Sequence, residues 1–165
     1  NQTFDINPGN LFSGNEIINN KDKIVITSNE FIYVLDIKTG YIEQKKNISS
    51  IIKPIIIDDY LFLVTSNNLL IALDLYKGDI IYSYDINEKI SNFYNIKKKQ
   101  VLFKNILFAN DNIFIFLQNS YILKFNINGN LEEISKLPSK IYTDPIFING
   151  SILFLDIKNK IVIVD

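Results

Sequence analysis

The stretch YVLDIKTG at residues 33–40 recurs as IALDLYKG at residues 71–78, at a constant offset of 38 positions. The match extends on both sides, because ITSNEFIYVLDIKTGYI aligns with VTSNNLLIALDLYKGDI without a gap. A third, looser copy places Asn126 at the Asp position of the motif, and a fourth places Asp165 there. A repeat of about 40 residues is typical of folds in which similar units stack against one another.

Each copy consists of short apolar runs that alternate with turns rich in Asn, Asp and Gly. Such runs predict strands joined by hairpins, and no stretch keeps a helical period over three turns. Each copy is therefore predicted to be a four-stranded antiparallel meander. Because a meander that is apolar on both faces buries them by stacking, the repeat predicts an all-β fold, a β-propeller of about four blades. The predicted blades occupy residues 16–46, 54–86, 104–136 and 144–165. An insertion at residues 87–103 separates the second blade from the third.

The repeated turn contains two kinds of residue with an expected structural role. Asp36 and Asp74 are predicted to accept hydrogen bonds from backbone N–H groups of the turn. Gly40 and Gly78 are predicted to take the positive φ that a tight turn requires. These residues are expected to shape the corner that each blade presents to the next one.

The motifs LDIKTG and LDLYKG, the second preceded by PIIIDDYLFLVTS, resemble the PQQ-like blade repeat. That repeat is found in quinoprotein dehydrogenases and in the BamB-like lipoproteins of outer-membrane protein assembly. The family commonly places Trp four residues after the turn Gly, where this chain has Gln44 and Tyr82. The Trp contact between blades is therefore expected to be absent, or replaced by Tyr in one blade.

The number of blades in the full ring has two interpretations. The fourth copy ends before its fourth strand, and TFDI at residues 3–6 can supply that strand and close a small ring. Alternatively, TFDI ends a preceding blade of a larger propeller. Because propellers of the PQQ-like family usually have seven or eight blades, the resemblance favours a partial ring or a segment, completed by more chain or by self-association.

Several residue types are absent from the chain, which excludes many kinds of active site. There is no His, Cys, Met or Trp, and all 17 basic residues are Lys. Without His and Cys, the chain cannot build a Ser-His-Asp or Cys-His nucleophile, a structural zinc site or an iron–sulfur cluster. Family enzymes stack the quinone between a Trp and a vicinal disulfide, neither of which this chain can supply. We expect no catalytic residues, no cofactor and no metal, with pairs such as Asp58-Asp59 serving as turns.

The charge and hydropathy patterns exclude two further classes of partner. The formal net charge is −1, and both signs are mixed along the chain, so no footprint for nucleic acid is present. Apolar runs are short, IFIFL at residues 113–117 being among the longest, so no membrane span is predicted.

The insertion at residues 87–103 is the segment that the repeat does not require. It combines Phe93 and Tyr94 with Lys97, Lys98 and Lys99. Long non-repeat loops on repeat scaffolds often carry the binding face, so these five residues are candidates for contact with a partner. The alternative is a solvated loop with a charge run.

The leading hypothesis is a non-enzymatic propeller scaffold that binds other proteins, by loop contact or by addition of a strand to a blade edge. The resemblance to BamB-like factors of outer-membrane assembly implies a periplasmic or cell-envelope location. Two other hypotheses stay open: a degenerate quinoprotein (PQQ-dependent) dehydrogenase-like propeller, and a ligand-sensing domain of the same fold.

Overall fold

The computed structural model describes residues 17–28 and 30–164. Within these residues, fifteen strands form four antiparallel sheets, each a blade whose strands follow one another in chain order. The predicted all-β, propeller-type fold is confirmed. The segment TFDI at residues 3–6 and the motif residue Asp165 lie outside the described residues.

The first two blades have four strands each. Blade 1 consists of β1 (Ile18–Asn20), β2 (Lys23–Thr27), β3 (Ile32–Asp36) and β4 (Ile42–Lys46). Blade 2 consists of β5 (Ile55–Ile57), β6 (Tyr60–Val64), β7 (Leu69–Asp74) and β8 (Ile80–Asp85). The side chains alternate along these strands, and β2 shows this most clearly, with burial at every second residue.

A helix follows blade 2 and separates it from blade 3. This helix is α1 (Ile86–Tyr94). Blade 3 consists of β9 (Phe103–Ala109), β10 (Asn112–Leu117), β11 (Tyr121–Asn126) and β12 (Leu131–Lys136). Blade 4 has three described strands, β13 (Ile146–Ile148), β14 (Ser151–Leu155) and β15 (Ile161–Val164).

The chain divides into two compact units. Of the described residues, the first unit contains those up to Asn67 together with Ile71–Ile81, and the second contains Asn68–Leu70 together with those from Tyr82 onward. The first unit therefore contains blade 1 and most of blade 2, and the second contains blades 3 and 4 with helix α1. The two units are described separately below.

In the first unit, equivalent corners of successive blades contact each other. The Asn20 side-chain amide donates to the Asp58 carbonyl, and Lys21 Nζ lies 2.8 Å from Asp59 Oδ1. The partners are 38 positions apart, which is one repeat. The β1–β2 turn of blade 1 thus lies against the β5–β6 turn of blade 2.

In the second unit, blades 3 and 4 share one apolar core. Buried residues of blade 3 and of the chain that follows it pack against buried residues of β14, and they form the cluster Phe116, Ile122, Leu137, Ile141, Ile152 and Phe154. Val162 and Val164 of β15 and Phe147 of β13 pack against this cluster. Because side chains alternate along a strand, the opposite face of blade 4 is left to the remaining residues of these strands.

Candidate interaction surface

Helix α1 begins at a polar cap that the strand β8 supplies. Asp85 is the N-cap residue, and its Oδ1 accepts a hydrogen bond of 3.1 Å from the Glu88 N–H. Ile86 is fully buried, and its N–H donates to the Asn68 carbonyl at 2.9 Å. The Asp-x-x-Glu spacing at residues 85–88 is a helix-start signal, although the hydrophobic pattern alone predicted no helix. The insertion therefore begins with a helix that is anchored to the fold.

The chain leaves α1 through a left-handed residue and then runs without regular structure to β9. Asn95 has φ of 53°, and the Ile96 N–H donates to the Ser91 carbonyl at 3.0 Å, which closes the helix end. Farther along, the Val101 N–H donates to the Asn87 side chain at 3.2 Å. Residues 92–100, called the basic segment below, are all exposed.

Two aromatic side chains of the basic segment are exposed next to each other. Phe93 and Tyr94 are each 46% exposed, and their rings meet edge to face with centroids 5.5 Å apart. Ile96 is also exposed. Isolated exposed apolar side chains are normal, but adjacent aromatic rings are the residue types that anchor protein interfaces.

The three consecutive lysines have different surroundings. Lys98 Nζ pairs with the Asp85 carboxylate, so this lysine bonds back to the helix cap. Burial raises the pKa of Asp85, but Lys98 and the Glu88 N–H outweigh it and leave the pKa below its usual value. Among the described residues, no carboxylate is paired with Lys97 or Lys99.

The basic segment lies in a cationic part of an acidic chain. Residues 86–104 contain five Lys and one carboxylate, whereas the whole chain has a formal net charge of −1. One of these lysines, Lys89, lies over the Tyr84 ring at 4.1 Å from its centroid. The sequence candidates Phe93, Tyr94, Lys97 and Lys99 thus share one exposed segment, whereas Lys98 also holds that segment to the fold.

The motif residues of the first two blades lie in the turns between the third and fourth strands. Asp36 Oδ1 accepts hydrogen bonds from the Thr39 hydroxyl and Thr39 N–H, each at 2.7 Å, and the hydroxyl contributes most to lowering the pKa of Asp36. Asp74 Oδ1 accepts from Lys77 N–H at 2.9 Å, which lowers the pKa of Asp74. The turns close at Gly40 and Gly78, whose φ values are +69° and +76°.

Gln44 and Tyr82 both lie four residues after the turn Gly, and both reach the turn of the following blade. Gln44 Nε2 donates to the Leu75 carbonyl at 2.7 Å in the first unit. The Tyr82 hydroxyl donates to the Ile127 carbonyl at 3.1 Å in the second unit. The sequence led us to expect such a contact from Tyr82 at most. Gln44 makes the equivalent contact through its side-chain amide.

The described residues contain no group of three or more His, Cys, Asp or Glu residues close enough together to hold a metal ion. In the same part of the chain, no helix is both long enough and apolar enough to cross a bilayer. Of the acidic pair at the β5–β6 turn, Asp58 has φ of 51° and Asp59 pairs with Lys21.

No family model and no curated protein matches this sequence. Solved structures do share the fold. BamB from Moraxella catarrhalis superposes with a TM-score of 0.72 at 12% identity, over 90% of this chain and 42% of BamB. The computationally designed Ika4 protein superposes with a TM-score of 0.66 at 12% identity, over 92% of this chain and 89% of Ika4. The designed Ika8 protein also has a TM-score of 0.66 at 12% identity, over 91% of this chain and 45% of Ika8.

The likeness to BamB concerns the fold, because the identity is low. This chain spans about two fifths of the BamB structure, and it spans less than half of Ika8. The same arrangement of antiparallel blades therefore occurs in structures about as long as this chain and in structures about twice as long.

Proposed function

We infer that this protein is a non-enzymatic propeller scaffold that binds other proteins, with the basic segment as its binding surface. The observation that carries this proposal is the exposed pair Phe93 and Tyr94 beside Lys97 and Lys99, in a segment that two hydrogen bonds from backbone N–H groups hold to helix α1. A surface that is already ordered loses little conformational entropy when a partner binds.

The chemistry of the basic segment favours a partner segment that is acidic and carries an apolar anchor. Carboxylates of the partner would lie near Lys97 and Lys99, and an apolar side chain would pack on the rings of Phe93 and Tyr94. Charge complementarity at such a site chiefly raises the rate of association and the selectivity, while the aromatic pair contributes the buried area.

The fold likeness to BamB supports a more specific proposal, a factor of outer-membrane protein assembly in the periplasm or cell envelope. A partner that adds a strand to a blade edge is the second mode of binding that such a scaffold offers. Fractionation of cells of the source organism tests this location, and recovery of the protein in the cytosol would contradict it.

The proposal that the protein is not an enzyme rests on its composition, because it lacks the Trp and Cys with which quinoproteins of this family hold their cofactor. The absorbance spectrum of the purified protein, mixed with the quinone and calcium, tests the dehydrogenase alternative. A bound quinone with dye-linked oxidation of an alcohol would favour the enzyme over the scaffold.

Selection of binding peptides tests the scaffold proposal directly. Displayed random dodecapeptides selected on the protein should become enriched in sequences that combine Asp or Glu with an aromatic or aliphatic residue. The variants Phe93→Ala/Tyr94→Ala and Lys97→Glu/Lys99→Glu should each weaken binding of a selected peptide by about tenfold or more, measured by fluorescence polarisation.

The matched control is Tyr41→Ala, which removes an exposed aromatic ring from a turn of blade 1. This variant should bind the selected peptide as the unmodified protein does. Selected peptides without acidic residues, or equal binding by all three variants, would overturn the assignment of the basic segment.

A further inference from the structure

Each blade of this repeat has two distinct faces, which the strand register defines. In blade 1, Val34 pairs with Gln44 across β3 and β4, and Gln44 reaches the turn of blade 2, so their common face is turned toward the next blade. We call this the leading face, and the opposite one the trailing face. Alternation places Val25 and Ile32 on the leading face of blade 1 as well.

Blade 4 can be aligned with blade 1 through its hydrogen-bonded pairs. Ile152 pairs with Val164, as Ile24 pairs with Leu35 in blade 1, and Val164 occupies the Leu position of the motif. On this alignment, Ile161 and Ile163 of blade 4 correspond to Ile32 and Val34 of blade 1. Ile161 and Ile163 therefore belong to the leading face of blade 4.

The trailing face of blade 4 is the one that packs against blade 3. Ile152 and Phe154 are in the buried cluster with Phe116 and Ile122 of blade 3. Because neighbouring residues of a strand point to opposite faces, the leading face of blade 4 is left outside that cluster.

The leading face of blade 4 is apolar and open to solvent. Its six apolar residues come from all three described strands, and they are Ile146, Ile148, Leu153, Leu155, Ile161 and Ile163. Ile146, Leu153 and Ile163 form one continuous row across the sheet, since they pair in register.

Equivalent positions of the two blades differ sharply in burial. Ile32 and Val34 of blade 1 are each 0% exposed, whereas Ile161 and Ile163 of blade 4 are 72% and 59% exposed. Burial of apolar side chains is favourable, so an uncovered face of this composition is a strong association surface.

The occupant that fits a leading face is the trailing face of a blade of the same type, as blade 4 on blade 3 shows. Blade 1 has a trailing face of this kind. Its apolar residues, Ile24, Ile26, Tyr33 and Leu35, correspond to Ile152, Phe154, Val162 and Val164 of blade 4, and all four are only half-buried. A second copy of this chain carries such a face.

We propose that the leading face of blade 4 binds the trailing face of blade 1 of a second copy, so that the protein forms a head-to-tail dimer. In a twofold assembly of this kind the contact occurs twice, because each copy supplies its blade 4 leading face to one contact and its blade 1 trailing face to the other. This interface involves neither the basic segment nor its partner, so it stands independently of the proposed scaffold function.

The first test is the molar mass of the purified 165-residue chain, measured by light scattering during size-exclusion chromatography. The expected result is twice the mass of one chain. Ile161→Lys/Ile163→Lys should raise the dimer dissociation constant by more than about a hundredfold, because two apolar contacts are lost and two charges are placed in the interface.

The control Ile80→Lys/Ile81→Lys introduces the same charges at two exposed Ile residues of β8. This control should remain dimeric, and circular dichroism should show that both double variants are folded. A monomer at high micromolar concentration, or a dimer that both variants leave unchanged, would overturn the proposal.

Cross-linking distinguishes a head-to-tail dimer from a pair of blade 4 faces packed on each other. The chain has no Cys, so single-Cys variants can be joined at chosen sites by a short bismaleimide. A mixture of Ile163→Cys and Tyr33→Cys chains should cross-link efficiently, whereas Ile163→Cys alone should not. Efficient cross-linking of Ile163→Cys to itself would overturn the head-to-tail arrangement.

Discussion

Gln44 in the first unit and Tyr82 in the second occupy the same repeat position, and they make the same kind of contact with different chemistry. Each donates a hydrogen bond to the carbonyl of the residue that follows the Asp or Asn of the next turn. Gln44 does so through a flexible amide. Tyr82 does so through a phenol whose ring stacks on Tyr84, with centroids 5.0 Å apart and planes at 23°.

The Gln44 and Tyr82 contacts differ in how many of their side-chain polar atoms have a hydrogen-bond partner. Gln44 Oε1 is buried and has no hydrogen-bond partner among the described residues. Burial, with a smaller contribution from Tyr84, raises the pKa of Tyr82 well above its usual range, so its hydroxyl stays protonated and able to donate. The aromatic contact is therefore the better satisfied of the two, and it is also the more rigid.

Gly129→Ala should break the aromatic contact and cause the largest loss of stability. Gly129 has φ of +77°, and a Cβ atom there would lie 2.7 Å from Tyr84 Cδ2 and 2.8 Å from Tyr82 Cε2. Backbone strain and the ring clash together should lower the free energy of unfolding by about 2 to 4 kcal/mol. Urea denaturation followed by circular dichroism measures this change.

Two other turn glycines serve as controls for the ring clash. Gly40 has φ of +69° and nothing within 4 Å of a Cβ, so Gly40→Ala should cost about 1 kcal/mol from the backbone alone. At Gly78 a Cβ would meet Gln44 Oε1 at 2.8 Å, but that side chain can move, so Gly78→Ala should fall between the other two. Equal losses at Gly40 and Gly129 would show that the tyrosines do not restrict this turn.

Tyr82→Phe should remove the hydrogen bond while keeping the stacked ring. The expected loss is about 1 kcal/mol, because the Ile127 carbonyl loses this donor but lies close enough to solvent to accept from water. Gln44→Leu should cost less in the equivalent contact, since it also removes a buried oxygen without a partner. A larger loss for Gln44→Leu, measured by urea denaturation, would reverse this order of the two contacts.

Asp74→Asn tests the charge of the turn cap and should have the smallest effect. Asn126 Oδ1 accepts two backbone N–H bonds in blade 3, so Asn at position 74 should keep the acceptor and lose the charge. The folded-state pKa of Asp74 lies below its reference value of 3.8. Its charge therefore stabilises the fold above that pH and stops doing so as the pH falls through the lower folded value.

Thermal unfolding between pH 7 and pH 2 measures this dependence. The midpoint of Asp74→Asn should lie a few degrees below that of the unmodified protein at pH 7, and the difference should shrink below pH 3.8. Asp79→Asn makes the same charge change at an exposed residue of the same turn and serves as the control for the loss of one negative charge. A difference that stays constant across the range would contradict the charged cap.

The turn motif also shows how far local sequence predicts position within a blade. Leu-Asp-Ile-Lys occurs at residues 35–38 and again at residues 155–158. Asp156 Oδ1 accepts hydrogen bonds from the Lys158 and Lys160 N–H groups, so this copy of the sequence forms a capped turn, as the copy at Asp36 does. The first turn joins a third strand to a fourth, whereas the second joins β14 to β15, a second strand to a third. The local sequence predicts a capped turn, but it does not predict which two strands of the blade that turn joins.

The repeat was sufficient to predict the blades, because period-two burial and turn residues are local signals that every copy repeats. The exposure of Phe93 and Tyr94 could also be predicted, since they lie in a segment that the repeat does not require. Helix α1 was not predicted, because its nine residues make fewer than three turns, although Ile86, Ile90, Phe93 and Tyr94 stand at the helical spacing i, i+4, i+7 and i+8. The ion pair between Lys98 and Asp85 could not be predicted, because the sequence does not distinguish Lys98 from the lysines on either side of it.

Local sequence is enough to specify the all-β class, the antiparallel meanders and the capped glycine turns, because hydrophobic period, turn chemistry and backbone sterics act over a few residues. The packing of blades against one another decides that Gln44 makes the contact that Tyr82 makes in the second unit, and that Ile161 is exposed where its counterpart Ile32 is buried. These two outcomes depend on which blade lies against each face. Residues far apart in the chain determine that packing, so neither outcome has a local signal.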